Sequence, residues 1–170
     1  SAKEGKGIHE ILEAVVKRIP QPAGNPEAPL QALIFDSWYD NFRGVVILVR
    51  VVAGTVGKGS KIRLCATEKE FEVLSVGGYT PFPRELESLS AGEVGFVIAN
   101  IKSVQDTKIG DTVTEVERPA PPLPGFKNVK PMVFAGIFPT DSAKYTDLRD
   151  ALEKLALNDS SFTFEFETSL

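Results

Sequence analysis

The chain has 170 residues, 42% hydrophobic and 25% charged, the balance of an ordinary globular protein long enough for one domain and part of a second. Its net charge of −4 argues against a wholly basic nucleic-acid binder but leaves room for one basic face. No apolar run approaches the roughly 18 residues of a membrane span. The single cysteine, Cys65, excludes an internal disulfide or a cysteine-rich zinc site and fits a reducing compartment.

In chain order, Ile8, Ile11, Leu12, Val15 and Ile19 recur at helical spacing opposite Glu10, Glu13, Lys17 and Arg18, which predicts an amphipathic helix. Pro20 and Pro22 stop it, and QPAGNPEAP (21–29) reads as a stiff linker. Short β-branched runs then predict strands at Gln31–Phe35, Gly44–Val52, Lys61–Cys65, Glu70–Val76, Gly95–Ile101 and Asp111–Thr114. DSWYD (36–40) is expected to join the first two, and GKGS (57–60) to turn into the third. Six or so short strands suggest a closed antiparallel barrel, which removes exposed edges.

A second proline-rich run, PAPPLP (119–124), ends the barrel. Beyond it a strand is expected at Pro131–Phe138 and a helix at Lys144–Leu157, capped by Asp141 or Ser142. Phe162, Phe164 and Phe166 alternate with polar residues as a half-buried strand. Strand, helix, strand is half of a ferredoxin-like unit. With a helix starting close to Ser1 and no initiator methionine, both ends read as cut from a larger protein.

No catalytic or metal-binding constellation stands out. Gly54–Ser60 is glycine-rich and carries Lys58, but its spacing is wrong for a phosphate loop and glycine follows the lysine, so a hairpin turn is expected. His9 is the only histidine and sits on the polar side of the first helix. Glu85 and Glu87 flank Leu86 in a loop and read as solvated charges, not an acid–base pair. Three weaker features remain: Ser1-Ala2-Lys3 ahead of the first helix, Trp38 between the first two strands, and a basic group of Arg43, Arg50, Lys58, Lys61 and Arg63. The basic residues equally fit the solvated side of a barrel.

The segments together resemble the LepA family of translational GTPases, elongation factor four. The likeness starts at SAKEGKGIHEILEAVVKRIPQP and covers essentially the whole chain. Its most specific words are FDSWYDNFRGVV and KPMVFAGIFPTDS…DLRDALEKLALND. Phe164 and Phe166, and the loop VGGYTPFPRELESLS, depart from the usual family pattern.

The resemblance implies a mainly β chain with an α+β part. A translation-factor-type barrel would be followed by a partial ferredoxin-like βαβ unit and preceded by a helix left from a P-loop GTPase domain. The implied divisions are 1–25 for the end of the GTP-binding domain, 26–118 for the barrel, 119–125 for a linker and 126–170 for the partial third domain. Ser1, Ala2 and Lys3 would be the last guanine-recognition motif, with the Ala2 amide facing guanine O6. The phosphate loop, switch threonine, water-positioning histidine and Asn-Lys-x-Asp motif would all precede Ser1, so this fragment is expected to be inactive. GTP and Mg2+ are implied for the full-length protein and no cofactor for the fragment.

Implied partners are the ribosome, through small-subunit RNA and protein touching the barrel and its basic residues, and tRNA. The implied role is back-translocation of tRNAs with GTP hydrolysis. The implied location is the cytoplasm, with peripheral attachment to the inner face of the cell membrane also open. A free-standing barrel adaptor for RNA or protein is the alternative, and the Ser-Ala-Lys opening tells against it.

Overall fold

The computed structural model describes residues 1–103, 106–125, 132–141, 144–158 and 163–166. Helix α1 covers Ile8–Arg18, where the spacing predicts it, starting after Gly7 in the left-handed region and ending where Ile19 turns extended before Pro20. Its apolar stripe of Ile8, Ile11, Leu12, Val15 and Ile19 stands exposed.

The barrel is built from β1 (Gln31–Asp40), β2 (Gly44–Ala53), β3 (Thr55–Gly57), β4 (Lys61–Leu64) and β5 (Glu70–Glu72). It continues through β6 (Ser75–Tyr79), β7 (Pro83–Leu86), β8 (Ser88–Ser90), β9 (Val94–Ile98) and β10 (Thr112–Glu115). The main sheet runs β5-β4-β10-β1-β2-β9-β6-β7, every pair antiparallel, and β3 pairs with β8 beside it. Closure comes from chain continuity. β5 pairs with β4 and, two residues later, β6 pairs with β9. Amides of Gly59, Val73 and Leu74 bond to Val73, Ser60 and Ile98 carbonyls at 2.8, 2.9 and 2.7 Å across that bend.

The interior is the expected β-branched packing. Ile34, Val45, Ile47, Val49, Val51, Ile62 and Leu64 are all fully buried. Each such side chain contributes roughly 1.5–3 kcal/mol through burial.

Several expectations change. DSWYD is not a connecting loop: β1 continues through it to Asp40, and the turn is confined to residues 41–43. A register shift between Ile34 and Asp36 leaves Phe35 as a bulge. An extra residue reverses the in–out alternation after it. Ser37 and Tyr39 therefore align with inward Ile47 and Val45, and Trp38 with outward Val46. The predicted strand Glu70–Val76 is two, bent at Val73–Leu74, and β3, β7 and β8 were not anticipated. The Gly57–Ser60 turn is as expected, with the Ser60 amide 3.1 Å from the Gly57 carbonyl.

The second proline-rich run lies on the barrel. Leu123 and Ala120 amides donate to the hydroxyls of Thr112 and Thr114, each at 2.8 Å, and Gln31 Nε2 donates to the Pro121 carbonyl at 2.7 Å. This explains why two threonines on the outer face of β10 are buried.

Helix α2 (Tyr145–Asn158) forms where predicted, and the Lys144 amide bonds to the Asp141 carbonyl at 3.0 Å; Ser142 lies outside the described residues. Residues 132–138 and 163–166 carry no strand ladder, because neither has a pairing partner among the described residues; Pro131 and Phe162 lie outside them. Ala135–Phe138 and Phe164–Phe166 instead line one hollow with α2, where Phe166 sits 5.5 Å from Phe164 and 6.2 Å from Tyr145 between ring centres. Lys154 places its ammonium 5.0 Å from the centre of the Tyr39 ring, so α2 rests beside β1. No described helix is long and apolar enough to cross a membrane.

Gly77 lies under the Phe96 ring: a Cβ there would meet ring carbons at 2.3 and 2.6 Å, whereas one at Gly78 would meet only Leu86 at 3.6 Å. Gly77→Ala is expected to cost about 1–3 kcal/mol in urea unfolding and Gly78→Ala well under 1 kcal/mol. Equal losses at the two positions would contradict the close packing of Gly77 against Phe96 and the Arg84 carbonyl, which a Cβ would meet at 2.3 Å.

Candidate nucleic-acid interface

Ser1, Ala2 and Lys3, expected to be a guanine-recognition motif, lie in a tight exposed turn. The Ser1 ammonium donates to the Lys6 carbonyl at 2.9 Å, and Lys6 and Gly5 amides return to Ser1 and Ala2 carbonyls at 3.2 and 3.4 Å. Ser1, Ala2 and Lys3 are all exposed. Among the described residues no three of His, Cys, Asp or Glu gather to hold a metal ion. The residues present therefore do not make a GTP or magnesium site, and no chemical step is assigned to them.

The five predicted basic residues do not form one cluster. Arg43 is at the tip of the β1–β2 hairpin, and Arg50 faces outward on β2 between Leu33 and Val94. Lys61 and Arg63 are on β4, which reaches β1 through β10 near Ala32, at the far end of the hairpin. Lys58 occupies the turn before β4.

Their surroundings also differ. Lys61 stands opposite Glu72 and Arg63 opposite Glu70, with the Arg63 guanidinium 4.0 Å from Glu68. Arg43, Arg50 and Lys58 make no ion pair among the described residues. An unpaired cation on a turn is free to meet a phosphate, whereas Lys61 and Arg63 already face carboxylates.

The hairpin tip is held in shape by Asp40. One carboxylate oxygen accepts the Phe42 and Arg43 amides at 2.8 and 2.9 Å. Those two bonds, Phe42 first, hold the Asp40 carboxyl below its usual range, with the Arg43 charge a lesser cause. A depressed carboxyl supports the fold above its ordinary pKa and loses that support as pH falls through the lower, folded value. The tip is thus fixed at neutral pH and loosens only in acid.

Sequence reasoning missed what surrounds Arg43. Val46, Phe96 and Ile98 form a second buried apolar cluster on the outer face of the barrel, with Trp38 and Leu48 packed on it. Tyr79 meets Phe96 edge-on at 5.7 Å between ring centres. A depression of about 200 Å³ opens there between Trp38, Tyr79, Pro83 and Phe96, with Asp40 and Arg43 at its mouth. On the other side of Arg43, a hollow of about 430 Å³ is bounded by Ser75, Asn100 and Lys102, with Glu85 also on its wall. Ser75 Oγ is buried with no hydrogen-bond partner among the described residues. Burial first, then the Asp36 charge, raises the Tyr79 phenol pKa against the opposing pull of Arg43, so the hydroxyl stays protonated. An outward Trp38 was the one signal in the sequence, and it depended on the bulge.

Comparison with known proteins gives this geometry its context. Residues 44–114, from the start of β2 to β10, match the family described as Elongation factor Tu domain 2. Over 170 residues, 99% of this chain, the sequence is 63% identical to Elongation factor 4 of Sorangium cellulosum (strain So ce56). The chain spans 28% of that relative's length. With a translation-factor barrel at its centre and near-complete coverage at that identity, the chain belongs to the LepA (elongation factor 4) family of translational GTPases.

Proposed function

We infer that these residues are the ribosome-docking part of a translational GTPase, with GTP and magnesium chemistry carried by other parts of the full-length protein. The observation that carries this reading is the likeness to Elongation factor 4 along the whole chain, from the Ser-Ala-Lys turn to the last phenylalanines. In this reading residues 1–25 end the GTP-binding domain, 26–118 are the barrel, 119–125 link, and 126–170 begin a third domain. The full-length factor works in the cytoplasm, moves tRNAs backward on the ribosome and hydrolyses GTP in doing so.

The barrel's part is positional. Contacts to phosphates fix register and orientation without reading sequence. Arg43 and Lys58 suit that role because both are exposed, on turns, and without a carboxylate partner among the described residues. Arg50 supports the same surface from the strand between them. Lys61 and Arg63 join it only to the extent that RNA displaces Glu72, Glu70 and Glu68. The Ala2 amide would complete the edge of the guanine pocket when the rest of that pocket is present.

Charge reversal separates docking from a merely solvated surface. Arg43→Glu or Lys58→Glu in the full-length factor is expected to weaken ribosome co-sedimentation by about tenfold, with an unchanged unfolding midpoint for the barrel. The weakened variants should also lose about one unit of salt dependence per phosphate contact removed. Unchanged sedimentation at both positions would leave the basic residues as solvated surface only. In a separate assay, the 170-residue chain alone is expected to release no phosphate from GTP above background. Turnover would mean that a catalytic site lies within it.

A further inference from the structure

Helix α2 has two faces in contact. Leu148, Arg149 and Leu152 share a hollow with Ala135–Phe138 and Phe164–Phe166 of their own unit. With about 3.6 residues per turn, Lys154 stands on roughly the opposite side of the helix. There its ammonium meets the Tyr39 ring of β1, 5.0 Å from the ring centre. Tyr39 is partly buried against the main core, so the ring is backed by the barrel where Lys154 meets it. We propose that Tyr39 is the seat of the third domain on the barrel, held by Lys154 of α2, and that this contact sets the angle between the two.

The linker leads α2 to that place. The Pro121 carbonyl accepts the side-chain amide of Gln31, the first residue of β1, and the Leu123 amide donates to Thr112, which pairs with Leu33. Gly125 then lies on Gly110, where a Cβ would meet the carbonyl oxygen at 2.7 Å, and the Gly110 amide donates to the Ile34 carbonyl. The chain is thus laid along β1 in step, from Gln31 toward its Tyr39 end. A body tied at Gly125 and again at Tyr39 is held at two points along one strand, which fixes its tilt.

Lys154 is also placed to serve the ring. Asp150, four residues before it on α2, is taken by Arg149 at 3.2 Å, and Lys154 makes no ion pair among the described residues. A cation within about 6 Å of a ring centre is attracted by the negative face of the π-system. Asp147, Asp150 and Ala151 flank Lys154 on the helix and are exposed. Among the described residues, the seat therefore rests on this one contact and not on a buried apolar patch. Asp40 follows Tyr39 directly, so the seat and the tip that carries Arg43 are parts of one short run.

The proposal rests on the reading of residues 126–170 as the start of a third domain, and its test fails separately from that reading. In a cysteine-free full-length factor, nitroxides at Glu72→Cys on β5 and Thr146→Cys on α2 report the angle through their distance distribution. One narrow distance is expected. Lys154→Met should lower the ratio of seated to unseated forms about two- to fivefold, read as a second or broadened distance. Tyr39→Leu should do the same, and the two together should add nothing further. Lys154→Arg and Tyr39→Phe keep a cation and a ring, and should keep the narrow distance. Hydrogen exchange in α2 and β1 checks that each variant is folded; were Tyr39→Leu to lose protection in β1, Lys154→Met alone decides. An unchanged distance in Lys154→Met, or a broadened one in Tyr39→Phe, overturns the seat. With α2 still protected in that case, the third-domain reading stands without it. Full exchange of α2 in the unaltered factor would remove that reading and the seat together.

Discussion

A sheet of short strands has two open edges, and in this barrel one bend at Val73–Leu74 joins the β4 side of the sheet to the β9 side, leaving β7 paired only with β6. The chain leaves β4 as its partner and takes up β9 within two residues, so a single run serves as the last strand on one side and the first on the other. Three backbone bonds across the bend satisfy amides that would otherwise be stranded in the wall. Everything functional hangs on this closure, because it makes β2 and β9 a rigid surface with a filled interior behind it. Interior packing by Val45, Ile47, Val49 and Val51 leaves the alternate positions of β2 to build the outside.

The outer face is then decided by one inserted residue. Phe35 bulges, the alternation of β1 reverses, and Trp38 pairs outward against Val46 while Ser37 turns in. An unbulged β1 would carry the parity of Ala32 and Ile34 through to Trp38 and send the indole into the core. The aromatic hollow, and the role of Arg43 beside it, therefore follow from a register shift. The β6–β7 hairpin adds Tyr79 and Pro83 to the same patch.

In the structure the proline-rich runs are cladding on the barrel. Residues 119–124 cap the outward threonines of β10 through two amide–hydroxyl bonds. At the other end, the Asn25 carbonyl accepts the Gly54 amide at 2.9 Å. Proline fixes the extended path and has no amide of its own to satisfy, so a segment of this kind can lie across a finished sheet without joining it. The chain entering and leaving the barrel is thereby tied to its wall.

The amino-acid order alone determined the helices, the β-rich middle, the Gly57–Ser60 turn and the family, because each of these is local: periodicity, prolines, or a run of specific words. It also excluded a phosphate loop at Gly54–Ser60 from spacing alone. It did not place the basic residues. Arg43 and Lys58 are fifteen positions apart in the chain, and both are exposed, one on the turn before β2 and the other on the turn before β4. Nor did it show that Trp38, Tyr79 and Phe96 share one hollow, or that Lys61 and Arg63 face glutamates. Those facts are set by register across strands distant in sequence. Register depends on a bulge and a bend that leave no clear mark on composition or period.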